Sequence, residues 1–333
     1  MKKKALVIGV SGQDGYYLAR LLLRKNYEVH GAVRRAQCAT DISRDHQLIE
    51  EAKQNPITLH HCDLSDYQNC LRLVEKLRPD EIYNLGAQTH VQISFEAPLY
   101  TGDVNGLGAL RVLEAIRTSG MGGKTKYFQA SSSEIYGKSR SFPQNEETPR
   151  TPRSPYGIAK LYAHSLTINY RESYGLHASN GIMFNHESPR RQDIFVSRKI
   201  ARGAARIKCR LQTSLTLGRL TSFRDWGYAP DFVEAMWLML QQEAADDYVI
   251  ATNESHSVQE FCHEAFSYLG LDWKDYVLYD KTFDRLTQID RQQGNPSKAL
   301  DRLKWMPKTK FKELVALMVE HELQEAHKHT ALE

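Results

Sequence analysis

The chain has 333 residues, 41% of them hydrophobic and 25% charged, a balance that allows a large buried core and excludes low-complexity disorder. Lys and Arg number 44 against 40 Asp and Glu, a net charge of +4, too mild to point to nucleic acid. No apolar run approaches the roughly 20 residues that a membrane span needs, so neither nucleic acid nor a membrane is expected as a partner.

The lysines at the N-terminus precede an apolar stretch of only Ala5 to Val10, and a glycine-rich turn follows at once. This reads as a first strand rather than a signal peptide, and a cytoplasmic location is expected. Apolar runs predict further strands at 27–33, 57–61, 81–85 and 126–130. Helical spacing falls between them, at Tyr17, Leu18, Leu21 and Leu22, near 42–52, and over 69–77 and 106–119. Strands alternating with helices predict βαβ units, and right-handed crossovers then give a doubly wound parallel sheet.

The second half is less regular. Helices are predicted over 161–174, 232–242 and 258–269, strands over 178–184 and 248–252, and an amphipathic terminal helix over 311–325, with a break at Pro189-Arg190-Arg191. The expected fold is α/β: an NAD(P)-binding Rossmann-type sheet with a smaller C-terminal α/β substrate domain. The dinucleotide domain takes 1–185 plus about 225–252, and the substrate domain about 186–224 and 253–330. The five cysteines, Cys38, Cys62, Cys70, Cys209 and Cys262, form no CxxC pair. They predict neither a disulfide framework nor a metal site.

Gly9-Val10-Ser11-Gly12-Gln13-Asp14-Gly15 follows the first strand and opens the first helix. Glycines there allow a tight turn and close approach of a pyrophosphate, and the helix N-terminus supplies N–H donors. About 20 residues on, an NAD site usually offers an acid for the ribose 2′-hydroxyl. Here Arg34 and Arg35 stand instead. A guanidinium pair clamps a phosphate, so the pair reads for NADP over NAD, against plain surface charge. Asp63 either accepts from the adenine amino group or caps the next helix.

Ser131-Ser132-Ser133-Glu134 follows the fifth strand, and Tyr156-Gly157-Ile158-Ala159-Lys160 comes about twenty residues later. Tyr and Lys at i and i+4 share a helical face. The nearby ammonium is expected to lower the phenol's pKa, so that Tyr156 works as a base.

These motifs resemble the extended short-chain dehydrogenase/reductases, and within them the GDP-mannose 4,6-dehydratase family. The resemblance runs from residue 3 to about 325. It is carried by Gly12–Gly15, Val33-Arg34-Arg35, Asn84–Gln88, Ser131–Gly137, Pro152–Tyr156, Asn185–Arg191, Arg224–Gly227 and Glu234–Gln242. It implies a redox-neutral loss of water with NADP as cofactor. Tyr156 takes the proton of the sugar O4 while C4 gives up hydride, and Lys160 holds the ribose. Glu134 takes the C5 proton and helps the C6 hydroxyl leave, and Ser132 bonds O4. A plain oxidoreductase needs no carboxylate beside C5, so Ser-x-Glu favours elimination. The resemblance also implies cofactor contacts from Gly9, Gly12, Gln13, Asp14, Gly15, Arg34, Arg35, Asp63, Leu64, Leu85 and Ala87. It implies substrate contacts from Gln88, Asn185, Glu187, Arg191, Lys199, Arg224, Arg285 and Gln288.

The chain departs from the family at the substrate end. Gln288 replaces a glutamate, and Arg219 and Thr221 replace Asn and Asp. These departures leave room for the same dehydration of a related GDP-sugar, such as GDP-D-glycero-D-manno-heptose. A GDP-sugar oxidoreductase or epimerase, and a catalytically idle NADP sensor, are the other readings. A homo-oligomer, dimer or tetramer, is expected through the Arg35–Arg44 loop.

Overall fold

The computed structural model describes residues 2–34, 57–284 and 286–330. The predicted helix near 42–52, Arg35, the Arg35–Arg44 loop and Arg285 lie outside the described residues.

Seven parallel strands form one sheet: β1 (Lys4–Ile8), β2 (Glu28–Val33), β3 (Thr58–His61), β4 (Glu81–Asn84), β5 (Lys126–Ser132), β6 (Ala178–Met183) and, much later in the chain, the strand Asp247–Ile250. Their spatial order is β3-β2-β1-β4-β5-β6, with Asp247–Ile250 on the β6 edge. Strands were expected at all seven places; β1 is apolar nearly throughout because it is covered on both faces, whereas the edge strand β3 is Thr-Leu-His-His and largely uncovered. The order reverses direction between β1 and β4. In doubly wound sheets ligands settle at that reversal, beyond the carboxyl ends of the strands.

Helices α1 (Gln13–Arg24) and Ala229–Gln241 pack on one face, where Leu18, Leu22, Phe232, Met236 and Leu240 join Val7 and Val29. The helices Tyr67–Leu77 and Gly108–Thr118 cover the other, with Leu73, Val112 and Ile116 against Leu6 and Ile82. A third cluster joins the helices Val196–Lys208, Val258–Tyr268 and Phe311–Thr330 away from the sheet. The sequence reading missed Val196–Lys208, although Val196, Ile200, Ala204 and Ile207 recur at helical spacing opposite its arginines and lysines. No helix among the described residues is long and apolar enough to cross a membrane.

Two boundaries differ from expectation in a way that matters for the site. β5 runs on through Ser132. The helix carrying Tyr156 begins at Pro155, six residues before its predicted start. Ser154 caps it, accepting from the Gly157 amide at 3.0 Å, and Pro155 occupies the first helical position, where its missing N–H costs nothing.

Asp225 knits the sheet edge to the C-terminal part. It is fully buried and accepts from Thr252 N (2.8 Å), Thr252 Oγ1 (2.7 Å), Asn253 N (3.1 Å) and Gly294 N (3.1 Å). Asp225→Ala orphans these donors and is expected to cost about 3 kcal/mol or more. Urea unfolding measures this, and an unchanged midpoint overturns it.

Candidate active site

The turn after β1 is shaped by two glycines. Gly9 has φ +86°, open to glycine and strained for other residues. A Cβ on Gly15 lies 2.3 Å from the Gly9 carbonyl oxygen, so only hydrogen fits where α1 packs on the turn. Gly12 caps α1 without a side chain, which leaves the first-turn amides facing the crevice uncapped. Opposite, Leu85 continues β4 by donating to the Ile8 carbonyl at 3.0 Å, and Leu64 packs against Gly86. Ala87 leads into Gln88, whose amide donates to Asn105 Oδ1 at 2.8 Å while Asn105 Nδ2 donates back to the Gln88 carbonyl at 2.8 Å. Asn105 sits on a π-helical turn, Asp103–Leu107. The sequence reading overlooked it.

Arg34 closes the far end of the crevice. Its guanidinium donates to the Tyr100 hydroxyl and lies 5.7 Å from that ring's centre. Asp63 is nearby. Burial pulls its carboxyl up, but the bonds from Ser65 N (2.9 Å) and Oγ (2.8 Å), with the Arg34 and His61 charges, hold it below the ordinary range. The cap of the next helix is Asp66, which accepts from Asn69 N at 3.1 Å. Asp63 closes the turn before it.

The chemistry-bearing residues converge at the ends of β5 and the helix Pro155–Tyr174. Ser132 and Glu134 are buried, as are Tyr156 and Lys160. The Ser132 Oγ accepts from the Glu134 amide at 3.2 Å. Tyr156 feels Ser132, Glu134, Arg191 and Asp14 together. The phenol's pKa is nonetheless raised to about 12, against the expected lowering. Burial is the main cause, Glu134 adds to it, and Ser132 and Arg191 oppose it. The expected help from Lys160 is missing for a geometric reason. Its Nζ donates to the Ala130 carbonyl at 2.8 Å and stands 5.8 Å from the Tyr156 ring centre. Burial lowers the Lys160 pKa to about 8.

A small cavity of about 130 Å³ lies among the residues expected at the substrate end. Asn185, Arg219, Arg224 and Gln288 line it, together with Leu217 and Phe283, which the sequence reading did not single out. Arg224 is anchored by donating to the Phe223 (2.7 Å) and Ile289 (2.9 Å) carbonyls. Arg219 pairs with Asp290 at 2.9 Å and donates to Thr221 Oγ1 at 2.9 Å, so two of the departures from the family pattern touch one another. Glu187 has partners within the protein. It is buried, and its Oε2 pairs with the Arg191 charge, Nε standing 3.0 Å away, and accepts from Ser197 Oγ at 2.6 Å. Lys199 lies over the Phe283 ring, in a neighbouring hollow of about 640 Å³ that shares Phe283 as a wall.

A family profile described as GDP-mannose 4,6 dehydratase matches residues 6–318. The chain is 51% identical to GDP-mannose 4,6 dehydratase 1 of Arabidopsis thaliana, over 99% of this chain and 92% of that one. It is 46% identical to the GDP-mannose 4,6-dehydratase of Yersinia enterocolitica, over 99% and 96%. The chain belongs to the GDP-mannose 4,6-dehydratase family. Among solved structures, the UDP-glucose 4-epimerase of Thermus thermophilus superposes with TM-score 0.82 at 25% identity, covering 96% of this chain and 98% of that one. The RMD protein of Pseudomonas aeruginosa, solved with NADPH, superposes with TM-score 0.78 at 24% identity, over 97% and 100%. These likenesses show the fold that this dehydratase-family chain shares with both proteins.

Proposed function

We propose that the chain is an NADP-dependent GDP-mannose 4,6-dehydratase, a hydro-lyase that forms the 4-keto-6-deoxy sugar. The observation that carries this reading is the meeting of Ser132, Glu134 and Tyr156 beside the glycine turn. The residues fit a dinucleotide. The turn is bare of side chains at Gly9, Gly12 and Gly15, and Ser131 Oγ is buried without a hydrogen-bond partner among the described residues. Gly9, Gly12, Gln13, Asp14 and Gly15 hold the pyrophosphate end, Arg34 and Asp63 the adenosine end, and Leu64, Leu85 and Ala87 the wall between. When bound, NADP supplies the acceptor and later the donor of hydride. Tyr156 would take the O4 proton as a phenolate, a form that the positive charge of bound NADP+ would favour over the neutral phenol of the cofactor-free site, and Ser132 orients that oxygen. Glu134 removes the C5 proton, acidified by the C4 carbonyl, and delivers a proton to the departing C6 hydroxyl. Lys160 is set by its bond to Ala130, one helical turn from Tyr156. Asn185, Arg191 and Arg224 hold the diphosphate end, with Gln88 towards the sugar.

Arg34→Ser is expected to narrow the preference for NADP over NAD by about tenfold, the equivalent of about 1.4 kcal/mol. An unchanged KM ratio assigns Arg34 to the surface.

Arg219 and Gln288 line one cavity, which favours a second reading: the same elimination on a roomier GDP-sugar. Mass spectrometry of protein incubated separately with GDP-mannose and GDP-D-glycero-D-manno-heptose decides between them. Water loss from GDP-mannose without net consumption of reduced cofactor supports the first. Loss from the heptose alone supports the second. Loss from neither overturns both.

The division into a dinucleotide part, 1–185 with 225–252, and a substrate part belongs to this proposal, as does a homo-oligomer. Supporting the latter, Leu99, Leu107, Ile158 and Tyr162 leave exposed apolar surface on adjacent helical segments, with Leu99 89% exposed. A monomer mass in light scattering would overturn it. The cytoplasm is the proposed compartment. Cys62, Cys70, Cys209 and Cys262 are free thiols, as a reducing environment keeps them.

A further inference from the structure

One charge pair, between buried His186 and partly buried Asp14, ties the two halves of the site together, and the chemistry above does not use it. His186 Nε2 stands 2.8 Å from Asp14 Oδ2, and His186 Nδ1 stands 2.7 Å from the Phe184 carbonyl oxygen. A carboxylate and a carbonyl only accept. With Asp14 ionised, both ring nitrogens carry protons and His186 is an imidazolium. Its ring stacks on Phe232, with centroids 4.8 Å apart and planes at 23°. Gln13 fills the joint. Its Nε2 donates to Asp14 Oδ1 (3.1 Å) and the His186 carbonyl (3.0 Å), and its Oε1 accepts from Ser188 Oγ at 2.7 Å. Residues of the glycine turn and of the Asn185–Arg191 block thus share one hydrogen-bonded unit, although 172 positions separate His186 from Asp14.

We propose that His186 is a positioning residue. As a cation it fixes Asp14, and with Gln13 and Ser188 it locks the dinucleotide turn to the segment bearing Asn185 and Arg191, so that the cofactor and substrate sites keep one registration. Two observations support the pair as an ionised one. Burial opposes the charge on each partner, yet the Asp14 carboxyl is held below its ordinary range and the His186 ring above its own, each mainly by the other. Asp14 also acts on Lys160 and Tyr156. Losing the imidazolium leaves a partly buried anion with the Arg191 charge alone opposing it, and that anion acts on the catalytic phenol.

This inference rests on the dinucleotide reading of the turn. The test is isothermal titration of NADP+ into the full-length wild-type protein, His186→Gln, Asp14→Asn and the double variant, with thermal unfolding of each cofactor-free protein. His186→Gln is expected to weaken NADP+ binding about tenfold, and the double variant to be weaker by much less than the product of the single effects. Steady-state kinetics should show the loss in KM for NADP+, with kcat at saturation changed several-fold at most. Ser188→Ala, which removes only the tie to Gln13, should weaken NADP+ a few-fold and covers the case of a poorly folded His186 variant. Lower thermal stability of His186→Gln or Ser188→Ala with unchanged NADP+ affinity makes the pair merely structural and overturns the proposal. Wild-type protein that binds no NADP+ overturns the dinucleotide reading itself.

Discussion

Glu134→Gln should lose water elimination by about a thousandfold in kcat while the KM for the GDP-sugar stays within a few-fold. The amide keeps the size and most of the hydrogen bonding of the carboxylate but cannot accept the C5 proton. Removing a positioned general base costs about 10²–10⁴ in rate. The fold should survive, because glutamine keeps the shape of the side chain and Ser132 caps the short turn Ser133–Ile135. The decisive measurement is exchange of the C5 hydrogen with deuterated water. Wild-type protein should wash deuterium into C5 of the product and the variant should not. Water loss at the wild-type rate would mean that another group is the base.

Tyr156→Phe should be comparably severe, with kcat falling about 10²–10⁴-fold. It also carries a stability signature of opposite sign. The folded phenol titrates at about 12 because it is buried, above the roughly 10 of an exposed tyrosine. A group raised in this way supports the fold fully below the unfolded value and withdraws that support as pH rises through the folded one. The wild-type protein should therefore lose stability between about pH 10 and 12. The phenylalanine variant should lose less over the same range. Alkaline unfolding curves that coincide would show that Tyr156 does not titrate in the folded protein as its surroundings dictate.

The legible parts of this protein are those whose partners lie close in sequence. The glycine turn announced itself because strand, turn and helix are contiguous, and Tyr156 and Lys160 because one helical turn joins them. What escaped notice depends on distant partners. Asn105 bonds Gln88 across a loop and a helix, and His186 meets Asp14 from the other half of the chain. Neither position differs in residue type from a surface residue, so spacing carries no signal. The charge state of Tyr156 was misjudged for a related reason. The i, i+4 rule places Lys160 on the right face, but the direction of its ammonium is set by the Ala130 carbonyl at the end of β5, and burial outweighs a neighbour that points elsewhere. The three short strand pairs outside the main sheet hold two or three residues each, too few to show a period.

The edge strand Asp247–Ile250 pairs with β6, which ends at Met183. During synthesis, then, the sheet waits. At about 5–20 residues per second, several seconds pass between the emergence of β6 and of the strand that covers its open side. Throughout that interval Asn180, Gly181 and Ile182 offer an unpaired backbone edge to any neighbouring nascent chain. Slow translation through the intervening segment lengthens this exposure. Expression yield should depend on what shields that edge on the ribosome as well as on the stability of the finished protein.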